Sequence, residues 1–244
     1  MHPNMINAFL GHQFLTDMIL MEISLDSSEI DTSLDGMWID SAAQTLSEAM
    51  VLAAGQLLDV EFSDLKSGYR LRFSQEKVCV DIFLFDSLSS GAGYSSMLTN
   101  RIDELIDETY KVLDCKSHCV TSCHDCLNHF WNQRVQHKLD RHAARQLLDW
   151  AENKTLAEPI PFDVQNRLVQ GIRETAMMET EFEVYVIGEK IISRCNGKER
   201  QIYVYPSMWN PDNNQHIPNG AVPVSDKQIV NAMPYAYGII RKAF

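Results

Sequence analysis

Apolar residues recur along this 244-residue chain in two periods, and the change between them marks its organisation. Residues 13–24, QFLTDMILMEIS, form a strand or short apolar segment opened by Thr16 and Asp17, which cap or turn the chain. Residues 25–40 are acidic and polar, with a turn at Asp35-Gly36. In SAAQTLSEAMVLAAGQLLDV, Ala42, Leu46, Ala49, Met50, Ala53, Leu57 and Leu58 follow helical spacing, and Ser41 is placed to cap the helix. Its many small residues predict close packing against a neighbour. Two strands follow. Residues 68–73 alternate around Tyr69, Leu71 and Phe73, and residues 77–85, KVCVDIFLF, are apolar enough for a central strand. Asp81 inside that run needs a partner if it faces the core.

A Ser/Gly loop after Asp86 leads into a helix predicted over 96–113. Leu98, Ile102, Leu105, Ile106, Tyr110 and Leu113 lie inward, with Asp103, Glu104, Asp107 and Glu108 outward. Asp86, Gly91 and Gly93 occupy the strand end where α/β sheets often hold ligands. The loop lacks both G-x-G-x-x-G and G-K-[ST], so a tight turn, a docking surface and a catalytic site all stay open. A second helix is predicted from Cys126 to about residue 151. Leu127, Trp131, Val135, Leu139, Ala143, Leu147 and Trp150 would be buried. Arg134, Lys138, Arg141 and Arg145 would form a basic stripe for phosphates or an acidic partner, unless neighbouring acids neutralise it. Asn132, Gln133, His137 and Asp140 lie between these faces.

After a stiff break at 158–161 the period changes. A short helix over 162–177 uses Val164, Leu168, Ile172 and Ala176. Short strands then turn at Gly188 and Asn196-Gly197, the latter a strong hairpin sequence. An exposed loop, PDNNQHIPNG, precedes a short helix capped near Ser225, and the terminal PYAYGIIRKAF is apolar enough to pack back. Tyr203, Tyr205 and Trp209 are expected to pack rather than to stack on a ligand. The fold class expected is α/β (α+β): a mixed sheet with packed helices, a four-cysteine knuckle leading into a long helix, and a small β-rich C-terminal part. The division expected is residues 1–157 and 158–244.

Composition narrows the function. Hydrophobic residues make up 45%, a globular content, and no run approaches about 18 uncharged apolar residues, so no membrane partner is expected. The first residues lack a basic, then apolar, leader, which points to the cytoplasm. Net charge is −12, and it belongs to the first half. Residues 1–114 carry 19 acids against 6 bases, residues 115–154 carry 4 against 6, and residues 155–244 carry 10 against 9. That balance argues against an autonomous nucleic-acid binder, so any DNA contact is expected to be local or shared with a partner.

The chemistry concentrates in one place. Cys115, Cys119, Cys123 and Cys126 have the C-x3-C-x3-C-x2-C spacing of a four-thiolate metal knuckle, while Cys79 and Cys195 stand apart as ordinary thiols. We read a structural Zn²⁺ site. Substitution of one cysteine by His118 or His124, and an iron–sulfur cluster, remain alternatives. Cys126 in the first turn of a helix would gain from the helix dipole, with Ser122 or Asp125 as cap.

The run SCHDCLNHFWNQRVQHKLDRHAARQLL resembles the C-terminal cysteine-rich domain of the MrfA-type DEAD-box-like helicases, shared with DrmB of the DISARM anti-phage system. The matching residues are Asp86, Gly91, Gly93, Cys115, Cys119, Ser122, Cys123, Cys126 and Leu127, then Asn132, Gln133, His137, Leu139, Asp140 and Arg141. The resemblance spans roughly residues 10–150. It implies a zinc-stabilised module working beside or within a helicase in DNA repair or anti-phage defence. Position 90 is serine where the family's loop commonly holds glycine. This sequence has no Walker lysine motif and no Asp-Glu-x-His box, so ATP hydrolysis would belong to a helicase/ATPase partner or another part of a split protein. The expected function is a non-enzymatic accessory module that helps engage DNA. Two alternatives are a metal-dependent nuclease subunit built on Asp17, Asp81 and Asp86, and a purely structural oligomerisation domain.

Overall fold

A computed structural model describes residues 15–33, 38–61, 63–74, 77–88 and 91–244. The Asp35-Gly36 turn and position 90 lie outside the described residues. Strand β1 (Met18–Leu25) and strand β2 (Leu65–Phe73) flank β3 (Val78–Asp86) in an antiparallel sheet of order β1-β3-β2. The apolar run thus takes the centre, as expected. Its Val80, Ile82 and Leu84 point into the core, while Cys79, Asp81, Phe83 and Phe85 project from the opposite face.

Helix α1 (Trp38–Leu58) packs on the inner face of this sheet. Ala42, Ala43, Ala49, Ala53 and Ala54 are all buried, because other helices close over the far side of α1. A helix sandwiched this way is apolar nearly all round. It starts three residues before Ser41, and Ser41 Oγ instead donates to the Lys138 carbonyl at 2.7 Å. The covering layer is α3 (Ile102–Leu113) and α4 (Arg141–Asn153). The helix expected over 96–113 divides into α2 (Tyr94–Thr99) and α3, with Arg101 N–H bonding the Leu98 carbonyl at the break.

Asp81 is fully buried, and its partners come from the neighbouring strand. Arg70 Nη2 and Arg72 Nε donate to its Oδ2 at 2.6 and 2.8 Å, and Arg72 also pairs with Glu22 on β1. The Arg72 guanidinium, with Arg70 behind it, holds the Asp81 carboxyl below the usual carboxylate range against the effect of burial.

The C-terminal part has a separate core. Helices α5 (Phe162–Leu168) and α6 (Gln170–Ala176) replace the single helix expected there, meeting at the buried Val169. Strands β4 (Phe182–Ile187), β5 (Lys190–Cys195), β6 (Lys198–Tyr205) and β7 (Val222–Ser225) form one sheet in chain order. It is mixed: β6 and β7 run parallel. Asn196 and Gly197 both have positive φ, 50° and 76°, which is the two-residue hairpin turn their sequence predicts. Helices α7 (Asp226–Asn231) and α8 (Met233–Lys242) complete this core, with Ile229, Ala236 and Ile240 buried.

The first apolar cluster ends at Ala157 and the second begins at Ile160, with Met208 reaching back into the first. Trp209 helps join the two. It is buried, its Nε1 donates to the Ala157 carbonyl at 2.9 Å, and its backbone bridges Ile30.

Candidate metal centre

The end of α3 delivers Cys115 into the protein, where it is buried. His118 N–H closes a turn onto the Cys115 carbonyl at 2.9 Å, and His118 adopts a left-handed φ of 49°. The chain doubles back and sets Cys119 beside Cys115. A second turn then winds around the Cys123 carbonyl, which accepts from the N–H groups of Cys126, Leu127 and Asn128 at 3.2, 3.1 and 2.9 Å. Ser117 Oγ donates to Asp125, tying one turn to the other.

The four sulfurs converge. Cys115 and Cys123 lie 3.6 Å apart, Cys119 and Cys126 3.7 Å, and Cys123 and Cys126 3.8 Å; all four fall within 4.8 Å of one another. Four thiolates about 2.3 Å from one tetrahedral ion stand about 3.8 Å apart, so this donor set fits a single zinc ion. It leaves no room among the sulfurs for a multi-iron cluster. His118 and His124 are exposed and stand outside the group.

Three of the thiols are driven in opposite directions by their surroundings. The Cys119 backbone amide holds Cys115 down, to about 6, whereas burial pushes Cys126 up to about 12 and raises Cys119 as well. A divalent ion would remove this conflict by stabilising every thiolate together.

A helix follows the knuckle, as expected, but it does not begin at Cys126. Cys126 lies in a turn, and what favours its sulfur is the Cys123 N–H at 3.3 Å, not a helix dipole. The neighbouring sequence is rich in side-chain amides, which compete for backbone groups. Asn132 Oδ1 accepts from His129 N–H at 3.0 Å, and Gln136 Nε2 donates to the His129 carbonyl at 3.0 Å. Two single 3₁₀ turns result, Phe130–Asn132 and Gln136–Lys138. The helix begins only at Arg141, where Asp140 Oδ1 caps it by accepting from His142 and Ala143 N–H at 2.9 and 3.1 Å. Neither Ser122 nor Asp125 is a cap.

This break dissolves the predicted faces. Leu127, Leu139, Ala143, Leu147 and Trp150 are buried as the pattern required, but Trp131 is 70% exposed. The four basic residues no longer form one helical stripe. Arg134 sits exposed between the 3₁₀ turns, and Lys138 ends the second turn, 3.4 Å from Asp40. Arg145 lies over the Tyr110 ring and 4.0 Å from Asp149. Arg141 turns inward. Its Nε donates to the Cys119 carbonyl at 2.9 Å and its Nη1 to the Leu113 carbonyl at 3.3 Å, so it clamps the chain on both sides of Cys115.

Asp86, Gly91 and Gly93 do come together, as a closed turn. Asp86 is buried and accepts from Ala92 N–H (2.6 Å), Tyr94 N–H (3.1 Å), Ser95 N–H (2.9 Å) and Ser95 Oγ (2.7 Å). Burial opposes its ionisation, but these four donors hold its carboxyl below the usual range. A Cβ at Gly91, where φ is +73°, would stand 2.9 Å from Asp17 Oδ2. Asp81 and Asp86 project from opposite faces of β3. Among the described residues, Asp17, Asp81 and Asp86 do not gather as a metal-holding group.

Two features escaped sequence reasoning. One is the Glu48 hub on α1, whose Oε2 lies 3.2 Å from His129 Nε2 and accepts from Asn132 Nδ2 at 3.1 Å. The other is the ion pair between Asp140 and Lys227, 87 residues away on α7. No local pattern announces either; the run of Asn, Gln and His after Cys126 was the available warning that a helix would start late.

Residues 46–127, which contain all four cysteines, match the family model described as MrfA Zn-binding domain. Over 96% of its length the chain is 29% identical to Druantia protein DruE of Escherichia coli (strain UMEA 4076-1), across 251 aligned residues. It spans 14% of that relative's length. The sequence resemblance had named a DISARM protein, whereas this relative is a Druantia protein. The crystal structure of DUF1998 helicase MrfA bound to DNA is similar at 15% identity over 49% of this chain and 15% of that one, with a TM-score of 0.38. A likeness that slight carries no argument about this protein. Among the described residues no helix is long and apolar enough to cross a membrane.

Proposed function

We propose that this chain is a non-enzymatic, zinc-stabilised accessory module that helps a helicase or ATPase motor engage DNA, in cytoplasmic anti-phage defence or DNA repair. The motor would be a partner protein or another part of a longer polypeptide. The observation that carries this reading is the tetrahedral spacing of four cysteine sulfurs inside the stretch that matches the MrfA Zn-binding domain. The resemblance through Leu139, Asp140 and Arg141 supports it, as does the similarity to DruE across almost the whole chain. Zn²⁺ held by Cys115, Cys119, Cys123 and Cys126 would stabilise the thiolates and staple the end of α3 to the segment before α4. Its role there is structural. Division into modules 1–157 and 158–244 belongs to the same proposal.

The test has two arms. Elemental analysis of freshly purified protein should give one zinc per chain; iron, or no metal, overturns the metal assignment. Tagged protein purified from its native host, followed by mass spectrometry, should recover an ATPase of the helicase class. Recovery of no helicase-class ATPase, either beside the chain or within the same polypeptide, overturns the accessory role.

A further inference from the structure

The segment between the zinc knuckle and α4 combines three properties found together nowhere else among the described residues. First, it holds aromatic rings in water. Phe130 and Trp131 are 72% and 70% exposed, and they meet edge to face, at 5.4 Å and 85°, so a broad ring face stays open. Leaving two such rings in solvent forfeits the stabilisation their burial would bring.

Second, the turn that carries them is rigid. The Asn132 side chain alone makes four hydrogen bonds: it accepts from His129 N–H and from Gln136 Nε2, and donates to the Leu127 carbonyl at 2.9 Å and to Glu48. Gln136 bonds the same turn from the other side. The rings are therefore displayed on a fixed support.

Third, the segment is free of acids. Residues 126–139 contain no Asp or Glu, in a chain that carries 33. Arg134 is exposed and joins no ion pair among the described residues. Among the described residues Lys138 has only a long pair with Asp40, in which both side chains are nearly half exposed, the kind of contact that exchanges readily. A cleft of about 220 Å³ beside Trp131 is lined by His129, Lys66, Ser63 and Ser67, with Glu48 held by His129 and Asn132.

We propose that residues 129–139 are a contact track for single-stranded nucleic acid, with Phe130 and Trp131 stacking an unpaired base and Arg134 and Lys138 meeting the adjacent phosphates. The inference rests on the DNA-engagement part of the function proposed above and names its ligand and residues. Interleaved aromatics and cations are the chemistry of single-strand binding, where stacking tolerates any base. A duplex presents phosphates over a wide front, which the surrounding acidic body repels; a strand needs only a local patch. Phe130, Trp131, Gln133, Arg134, His137 and Lys138 are the exposed set here; exposed aromatics and arginine also suit a protein interface, and partner capture in the test below separates the two.

The test is fluorescence anisotropy of the full chain with a labelled oligo-dT strand and with a duplex of equal length, at low and at physiological salt. Binding of the strand in preference to the duplex is expected. Trp131→Ala should weaken it about tenfold, Trp131→Phe should largely restore it, and Arg134→Gln with Lys138→Gln should flatten its salt dependence. All these side chains are exposed, so zinc content and circular dichroism should be unchanged, and a variant that loses either is replaced by Phe130→Ala. No measurable strand binding, equal affinity for duplex, or unchanged affinity in Trp131→Ala overturns the proposal. So does loss of ATPase partner capture by Trp131→Ala with strand binding intact, which would make the patch a protein interface. Strand binding that depends on Trp131 in a chain with no ATPase partner would sustain this inference while the accessory reading fails. A confirmed partner without strand binding would do the reverse.

Discussion

The Asp140 carboxylate pairs with the Lys227 ammonium across the seam between the two cores, each side chain only 12–13% exposed. Asp140 meanwhile caps α4 with its other oxygen, and its own N–H donates to Thr45 Oγ1 at 2.8 Å. One residue thus starts the helix behind the four-cysteine knuckle, locks that helix to α1 and holds the C-terminal half. Asp140→Ala should destabilise the protein by about 3 kcal/mol, because it removes a cap and leaves Lys227 unpaired in a mostly buried place. Lys227→Met, which keeps the packing, should cost less. Denaturant unfolding of both single variants and the double variant checks this, and additive losses would show that the pair is not coupled.

Cys123→Ser and Cys126→Ser should each abolish metal retention and reduce soluble yield, since three thiolates hold the ion poorly. Cys79→Ser, a buried thiol outside the group, should keep one zinc per chain by elemental analysis. Chelation of the wild type should lower its thermal midpoint toward that of the cysteine variants.

Arg141→Ala should behave as a metal-site variant although it has no ligand atom. Loss of its bonds to the Cys119 and Leu113 carbonyls frees the loop around Cys115. Zinc release to a chromogenic chelator should accelerate several-fold, whereas Arg134→Ala should leave it unchanged. Arg141→Lys should not rescue, because an ammonium cannot span both carbonyls in the fork of a guanidinium.

Asp86 contributes acid sensitivity at the C-terminal end of β3. Its folded pKa is depressed below the ordinary 3.8, so it contributes stability that is present above that value and lost as pH falls through the folded one. Asp86→Asn should lower stability at pH 7 and flatten the decline below about pH 4. Denaturant unfolding of wild type and variant at matched pH isolates the effect, since metal loss in acid is common to both.

Gly91→Ala should cost about 1–2 kcal/mol. Its φ of +73° is unfavourable for an L side chain, and the added Cβ meets the Asp17 carboxylate. Thermal unfolding checks this, and Gly171→Ala, where a Cβ meets nothing within 4 Å, is the control.

What the sequence alone determined is what depends on local chemistry or on strict apolar period. The central β3 strand, the inward face of α1, the Asn196-Gly197 hairpin and the Ser225 cap of α7 all follow from nearest neighbours. The convergence of the four cysteines belongs with them, because thiols at that spacing have little else to do. Leu127, Leu139, Ala143 and Leu147 were rightly placed inside, since each is apolar whatever the backbone between them does. Tertiary structure decided the rest. Whether 126–140 continued as helix depended on Glu48, brought from α1 to anchor His129 and Asn132, and on side-chain amides winning a close competition for backbone groups. That contest reversed Trp131 from core to surface and turned Arg141 from surface to clamp. It also made Asp140 the point where Lys227 joins the two halves. Periodicity is blind to such outcomes: contacts between residues 80 or more positions apart select among local conformations of nearly equal energy.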